Sequence, residues 1–301
     1  MNFMKWIPVY FVFSALVIGA GVFSMIRWGF SYSIGFTGGS LMEIRYTNAS
    51  PSSEEVTAAV KDLYVIDSVI ASPSNKSFII KGASIEDSVF IQVKSALEKL
   101  GTYELIRYES VGPVISGELI RKTFAAVILV SVIILTYLGW QFHELRYGVS
   151  AVLAMFHDSL VLLGIFSLLG HFADIELDVL FVTAMLTALS FSVHDTIVVF
   201  HRIRELKDRY PRALLEDILN AAVMETMSRS INNSVTIVLM LLALTLLGGE
   251  SLFGFSLALL LGAITGTYSS PFIAVPLLLL WNKIELRIKA RRGVAKKLHS
   301  I

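Results

Sequence analysis

The chain contains no cysteine. Disulfides, zinc–thiolate sites, iron–sulfur clusters and a thiol nucleophile are thereby excluded. Charge is scarce as well. Only 16% of the 301 residues are Asp, Glu, Lys or Arg, while 55% are hydrophobic and the mean hydropathy is +0.70. That balance excludes an ordinary soluble globular chain and points to a protein that crosses a membrane several times. The formal net charge of +1 says little, because the charges are segregated along the chain. There is no Walker loop, no G-x-S-x-G and no H-E-x-x-H. The phosphate-cradling, serine-hydrolase and zinc-protease chemistries that those motifs serve have no footing here. No nucleophile–base constellation is evident, so we expect no enzyme, no cofactor and no metal.

What the sequence does have is long apolar runs. The first, from about Ile7 to Ile26, has no small-x-small cleavage site after it. It is longer than the roughly 7–15 residues of a signal-peptide core, and reads as an uncleaved transmembrane helix. Five further runs lie near Phe124–Phe142, Val149–Gly170, Val179–Phe200, Ser230–Leu247 and Leu252–Trp281. At about 20 residues or more, each is long enough to cross about 30 Å of hydrocarbon. The last is long, and Pro271 and Pro276 are expected to kink it.

Orientation follows from Lys and Arg near the span ends. Arg202, Arg204, Lys207, Arg209, Arg212 and Arg229 lie between spans four and five, and the tail from Lys283 onward is strongly basic. The turns HFADIELD (His171–Asp178) and GGES (Gly248–Ser251) have no Lys or Arg. Both termini are therefore expected in the cytoplasm, with Arg27, Arg121 and Lys122 outvoted. The basic tail reads as a solvated, lipid-facing segment; no nucleic-acid partner is expected.

This arrangement leaves Ser31 to Glu118 outside the membrane, and there the periodicity changes. LMEIRY alternates like a strand. Ser52 and Glu55 form a capping box ahead of Val56, Ala59, Val60 and Leu63, which recur at helical spacing. DSVIAS and KSFIIKG read as two strands joined by a turn at Pro73, Ser74 and Asn75. Val89, Val93, Leu97 and Leu100 mark a second helix that ends at Gly101, and YELIRYES is a last strand. The order β-α-β-β-α-β is the ferredoxin-like pattern. Between spans four and five, the segment around Leu214, Leu215, Ile218 and Ala222 is amphipathic. It is expected to lie along the membrane surface or to pack under the bundle.

One residue stands out. Asp195 sits inside the fourth span, where an ionised carboxylate costs at least about 2.5–3.5 kcal/mol. Ala184, Ala188 and Ser192 share its face, and small residues let a neighbouring helix approach closely. Asp195 therefore faces protein. Arg229 begins the fifth span, and Asn233, Thr236, Met240 and Ala243 continue its face as a second protein-facing stripe. An Asp195–Arg229 pair is geometrically feasible; the plainer reading is a static clamp between helices. Asp158 in span three is a second acid, sharing a face with Ala151 and Ala154. His157 and His194 each precede an aspartate and so point about 100° away from it. Their plain role is hydrogen bonding between helices. Gly262 and Gly266 form a G-x-x-x-G packing device in span six.

These motifs together resemble the SecF family of the RND superfamily. GFTGG (Gly35–Gly39, with Phe36, Thr37, Gly38 and Gly39) resembles the family's D-F-T-G-G. VGPVISGEL (Val111–Leu119, with Gly112 and Pro113) resembles its V-G-P…G-x-E-L, and HDS (His157–Ser159) its H-D-V. SVHDTIVVFHRIRE (Ser192–Glu205) is similar to its S-x-N-D-T-I-V-V-x-D-R-I-R-E. SRSINNSVT and FGFSLALLLGAITGTYSS resemble its last two spans. Gly35 stands where the family has Asp, His194 where it has Asn, and His201 where it has Asp.

The resemblance implies a membrane α-helical bundle of six transmembrane helices, half of an RND-type bundle, with an inserted ferredoxin-like α+β periplasmic domain. It divides the chain into a cytoplasmic N-terminus with span one (1–28), the periplasmic domain (29–120), spans two to six (121–282) and a basic cytoplasmic tail (283–301). The amphipathic segment falls at about 203–228. It implies a partner, SecD, association with the SecYEG translocon together with YajC and YidC, and unfolded preproteins as substrates. It implies proton-motive-force-driven export across the bacterial inner membrane. By the resemblance Asp195 and Arg229 would carry the ion coupling; from its own place in span three we add Asp158 as a further ion-coupling candidate, with His157 and His194 as modulators. Two other readings stand beside this one: an RND-type half-transporter for lipids or small molecules, and a structural scaffold for the translocon.

Overall fold

The computed structural model describes residues 3–48, 50–72 and 77–298. The chain divides into two compact units. Residues 32–125 form one; the residues before 32 and after 125 form the other.

The smaller unit holds helix α2 (Ile34–Thr37), strand β1 (Gly39–Tyr46), helix α3 (Ser53–Val60), β2 (Ile66–Ser72), β3 (Ser77–Gly82), α4 (Asp87–Glu98) and β4 (Tyr103–Val111). The strands form one antiparallel sheet in the order β2-β3-β1-β4, the ferredoxin-like topology read from the sequence. The expected turn at Pro73, Ser74 and Asn75 lies outside the described residues. The capping box forms: the Glu55 amide donates to Ser52 Oγ at 3.2 Å, and the Ser52 amide donates to the Glu55 carboxylate at 2.8 Å. It sets where α3 starts. Val56, Val60, Val93 and Leu97 then point one way at helical spacing and are fully buried against Met42, Ile44, Tyr46 and Ile80 of the sheet. Each such side chain contributes roughly 1.5–3 kcal/mol of burial. Tyr46 adds a hydrogen bond from its hydroxyl to the Leu97 carbonyl at 3.2 Å.

The other unit is helical. Among the described residues, six helices are long and apolar enough to cross a membrane: Phe3–Arg27, Ser116–Phe142, Leu145–Phe172, Val179–Arg209, Leu215–Leu247 and Leu252–Ile288. As regular elements they are α1 (Ile7–Arg27, after a short 3-10 turn), α5 (Pro113–Phe142), α6 (Leu145–Phe172), α7 (Val179–Arg209), α8 (Leu215–Leu247), α9 (Glu250–Ser269) and α10 (Val275–Leu298). A π-helical turn at Ser270–Ala274 joins α9 to α10, so the long sixth span is interrupted at Pro271. Helix α5 starts before its apolar run because Pro113 suits a first helical position. A Glu118–Lys122 pair then supports its first turns at 2.8 Å.

The amphipathic segment is not a separate surface helix. Helix α7 runs on to Arg209 and α8 starts at Leu215, with no glycine or proline between there and the fifth span to stop it. Ile218, Leu219, Ala222 and Val223 are buried in a core cluster with Phe3, Met4 and Leu206, whereas Leu214 is 72% exposed. Of the two expected placements, packing under the bundle is the observed one.

Two close helix contacts organise the bundle. A Cβ added at Gly262 would lie 2.3 Å from the Ala188 Cβ, and one at Gly266 would lie 2.9 Å from the Ser192 Cβ. The G-x-x-x-G pair thus seats α9 on the small-residue face of α7, within this chain. The second contact pairs Gly21 of α1 with Gly164 of α6, where an added Cβ would come 2.8 Å from the facing Cα.

Candidate functional site

Helix α7 places Asp195 in line with Ala184, Ala188 and Ser192, and all four are buried. Asp195 is 9% exposed, and Ser230 Oγ of α8 donates to its Oδ2 at 2.8 Å. Among the described residues no ion pair joins Asp195 to Arg229. Ser230 takes that position, and its neighbour Arg229 leaves the helix about 100° away. The two charges nevertheless share a space. Asp195, Arg229, His194, Glu225, Asn233 and Thr236 are among the residues lining an open cleft of about 690 Å³ between α7 and α8. A second cleft of about 510 Å³, lined by His201, Arg202, Glu205, Glu225 and Arg229, continues it along the same helices. Arg202 there pairs with Glu205 and Glu225.

The polar α8 stripe is not covered within this chain. Arg229, Asn233, Thr236, Met240 and Ala243 lie on the surface of this chain, with Met240 63% exposed. The buried stripe of α8 is instead Thr226, Ser234, Leu241 and Thr245. Periodicity locates a stripe, but does not say which neighbour covers it.

Asp158 of α6 is deeper, at 4% exposure. Ser192 of α7 and Ser269 of α9 each donate a hydroxyl to its Oδ2 at 2.6 Å. His157 does not point away from it: its Nδ1 lies 3.0 Å from Asp158 Oδ1, because the ring folds back along the helix surface. Among the described residues the buried His157 Nε2 has no hydrogen-bond partner, and its ring stands 6.4 Å from that of Tyr268. Below Asp158, Thr196 and Ser270 bond at 2.8 Å, and Ser270 donates to the Ser192 carbonyl at 3.2 Å. Sequence reading missed Ser230, Ser269 and Ser270, since serines are common in such helices and only their convergence on acids sets them apart. Among the described residues, no three His, Asp or Glu side chains group closely enough to hold a metal ion.

The remaining motif residues shape the smaller unit. Phe36 and Thr37 end the short helix α2, and Gly38 and Gly39 take φ angles of 76° and 125°. An added Cβ at Gly39 would meet the Gly82 carbonyl oxygen at 2.6 Å, so this turn into β1 requires glycine. Gly112 and Pro113 mark the passage from β4 into α5. At the other end of the bundle, Glu144 between α5 and α6 is held by Arg146 and by Lys207 at 3.1 Å. Burial alone would raise its carboxyl, but hydrogen bonds from Lys207 and Arg146 outweigh that and hold it below the usual carboxylate range.

Six helices long and apolar enough to cross a membrane, with buried carboxylates among them and a ferredoxin-like domain inserted after the first, define a multi-pass membrane protein. Residues 92–284 match the family described as protein export membrane protein SecD/SecF, C-terminal. The chain is 36% identical to the protein translocase subunit SecF of Anaerolinea thermophila, over 95% of both chains. It is 37% identical to that of Sebaldella termitidis, over 98% of this chain and 96% of the relative. It is also 30% identical to the SecDF subunit of Bacillus subtilis, of which it spans 39%. A crystal structure of SecDF, a translocon-associated membrane protein from Thermus thermophilus, superposes with a TM-score of 0.80 at 29% identity. That match covers 94% of this chain and 39% of the other. The chain belongs to the SecD/SecF family of protein-export membrane proteins.

Proposed function

We propose that this chain is the SecF-type subunit of the Sec export machinery and uses the proton motive force to assist preprotein translocation. Its partner on this reading is a SecD-type half-bundle, as the longer B. subtilis relative suggests. The exposed polar face of α8, inside an apolar span, supports the same partner: Arg229, Asn233 and Thr236 are costly against lipid and need protein cover. The setting is the bacterial inner membrane with both termini cytoplasmic, from the distribution of Lys and Arg. The SecYEG channel, with YajC and YidC, and unfolded preproteins complete the assembly. The chain is then a transport subunit and not an enzyme.

The observation that carries the reading is Asp195, nine-tenths buried in a span and lining the same cleft as Arg229 without pairing to it. A carboxylate buried in one shape of the bundle and facing a guanidinium in another holds a proton in the first and releases it in the second. The membrane potential supplies about 2.3 kcal/mol per charge per 100 mV, enough to bias such a two-state element. Asp195→Asn keeps size and hydrogen bonding but cannot ionise. In preprotein translocation into membrane vesicles, it should assemble normally and lose the gradient-dependent part of export. Full gradient-dependent export in Asp195→Asn would reduce the residue to a helix clamp.

A further inference from the structure

Ser192 stands between the two buried acids. On one side it donates to Asp158 at 2.6 Å. On the other it lines a small cavity of about 30 Å³ with Asp195, Asn233, Ser234 and Thr267. A space of that size takes a water molecule, and these side chains offer more than the two to four polar partners it needs. Thr267 and Ser234 already bond each other there at 2.7 Å. Beyond Asp195 the large cleft opens to the α7–α8 surface. Asp158, Ser192, the small cavity, Asp195 and the cleft therefore follow one another across the bundle.

We propose that Asp158 is a second proton-holding site, connected to Asp195 through the Ser192 hydroxyl and the small cavity. This rests on the reading that Asp195 carries a proton. Each transfer balances. A proton arriving from the cavity binds a lone pair of Ser192 Oγ, while the hydroxyl's own proton passes to Asp158 Oδ2. Asp195 becomes a carboxylate and Asp158 a carboxylic acid. The reverse step returns the proton by the same atoms, and the hydroxyl must rotate back toward Asp158 before a second forward transfer. His157 Nδ1, at 3.0 Å from Oδ1, serves Asp158 as hydrogen-bond donor when the proton has left. The other titratable groups around the two acids are His194 on the cavity wall, Glu225 and Arg229 across the cleft from Asp195, Tyr268 beside His157, and Tyr10, whose carbonyl receives the Tyr268 hydroxyl at 3.3 Å. Among the described residues no Lys or Arg forms an ion pair with either acid.

Two serines give a controlled comparison. Ser192 and Ser269 make equal 2.6 Å bonds to Asp158 Oδ2, but only Ser192 lines the cavity shared with Asp195. Ser192→Ala also keeps the Cβ that packs on Gly266. A purely structural role predicts similar defects from Ser192→Ala and Ser269→Ala, with and without a gradient. A relay predicts that Asp158→Asn and Ser192→Ala each cut gradient-driven translocation and proton flux into vesicles by about tenfold or more. On that account Ser269→Ala, which strips one hydrogen bond from Asp158 but leaves the path from the cavity intact, loses clearly less gradient-driven flux than Ser192→Ala, and gradient-independent translocation is kept in both. If Asp158→Asn fails to assemble, Ser192→Ala carries the test. Equal defects in the two serine variants, or wild-type flux in Ser192→Ala, would overturn the proposal. Wild-type protein driven by a sodium gradient but not by a proton gradient would also overturn it. Loss of flux in Asp195→Asn but not in Asp158→Asn or Ser192→Ala removes this inference alone. Retained flux in Asp195→Asn removes the reading on which it rests.

Discussion

Replacing Gly262 with alanine would put one methyl group between two helices that already touch. The new Cβ would lie 2.3 Å from the Ala188 Cβ, whereas carbon atoms rest at about 3.5–4.0 Å. Helices α7 and α9 must then part locally by about 1.2–1.7 Å, the difference between those distances. Overpacking of this kind costs about 1–3 kcal/mol. At about 2 kcal/mol, the unfolding equilibrium moves by a factor of about 30. The assay is denaturant unfolding of the purified full chain in mixed micelles, followed by tryptophan fluorescence. The companion variant is Ala188→Gly, which removes the facing methyl. Gly262→Ala with Ala188→Gly restores one methyl at the contact, and should recover most of the loss as a favourable coupling of about 1 kcal/mol or more. An unfolding curve for Gly262→Ala that overlays wild type would show that this contact is looser than drawn. Strict additivity in the double variant would show that the methyls never meet.

Arg229→Ala should abolish gradient-driven export as Asp195→Asn does, with the double variant little worse than either, because the two charges act on one cleft; additive losses in a vesicle translocation assay would separate them. The unit of residues 32–125, expressed as its outer part Tyr32–Ser110, should fold alone into a soluble α+β domain, and Leu97→Ala should lower its stability by about 2–5 kcal/mol in urea; a far-ultraviolet spectrum without helix would contradict the fold. Glu144 is held below its ordinary value of 4.5, so its tether stabilises fully above that value and is lost as pH falls through the lower folded value. Glu144→Gln should remove that acid-side loss in a pH series of thermal unfolding, and high salt should shrink the effect, since a third of the side chain is exposed.

Local spacing carried much of this structure into the sequence. Ser52 and Glu55 lie three residues apart, so the capping box and the start of α3 could be read directly. The face of Ala184, Ala188, Ser192 and Asp195 was equally legible, because helical geometry alone places those side chains in line. What sequence withheld depends on distant chain segments. Ser269 reaches Asp158 from 111 residues away, and Gly21 meets Gly164 across two spans; no period connects such pairs. What covers the α8 stripe was hidden for a related reason. Polar residues at helical spacing mark a face that shuns lipid, whether the cover comes from this chain or another. His157 misled because a ring at an adjacent position can fold back, which a helical wheel cannot show.

The π-helical turn at Ser270–Ala274 has an effect on everything that follows it. A turn closed five residues apart holds one residue more than the α-helix around it, and each residue is worth about 100° of rotation. Helix α10 is therefore out of phase with α9 by that angle. This phase lets Gly262 and Gly266 face α7 while, further along, Asn282 still receives Arg146 at 3.1 Å. Removing a single residue from the turn would leave a continuous helix of ordinary pitch. It would also turn Asn282 and Trp281 away from Arg146 and swing a different strip of α10 toward the bundle. In this span a one-residue deletion acts less as a shortening than as a rotation of the whole C-terminal helix.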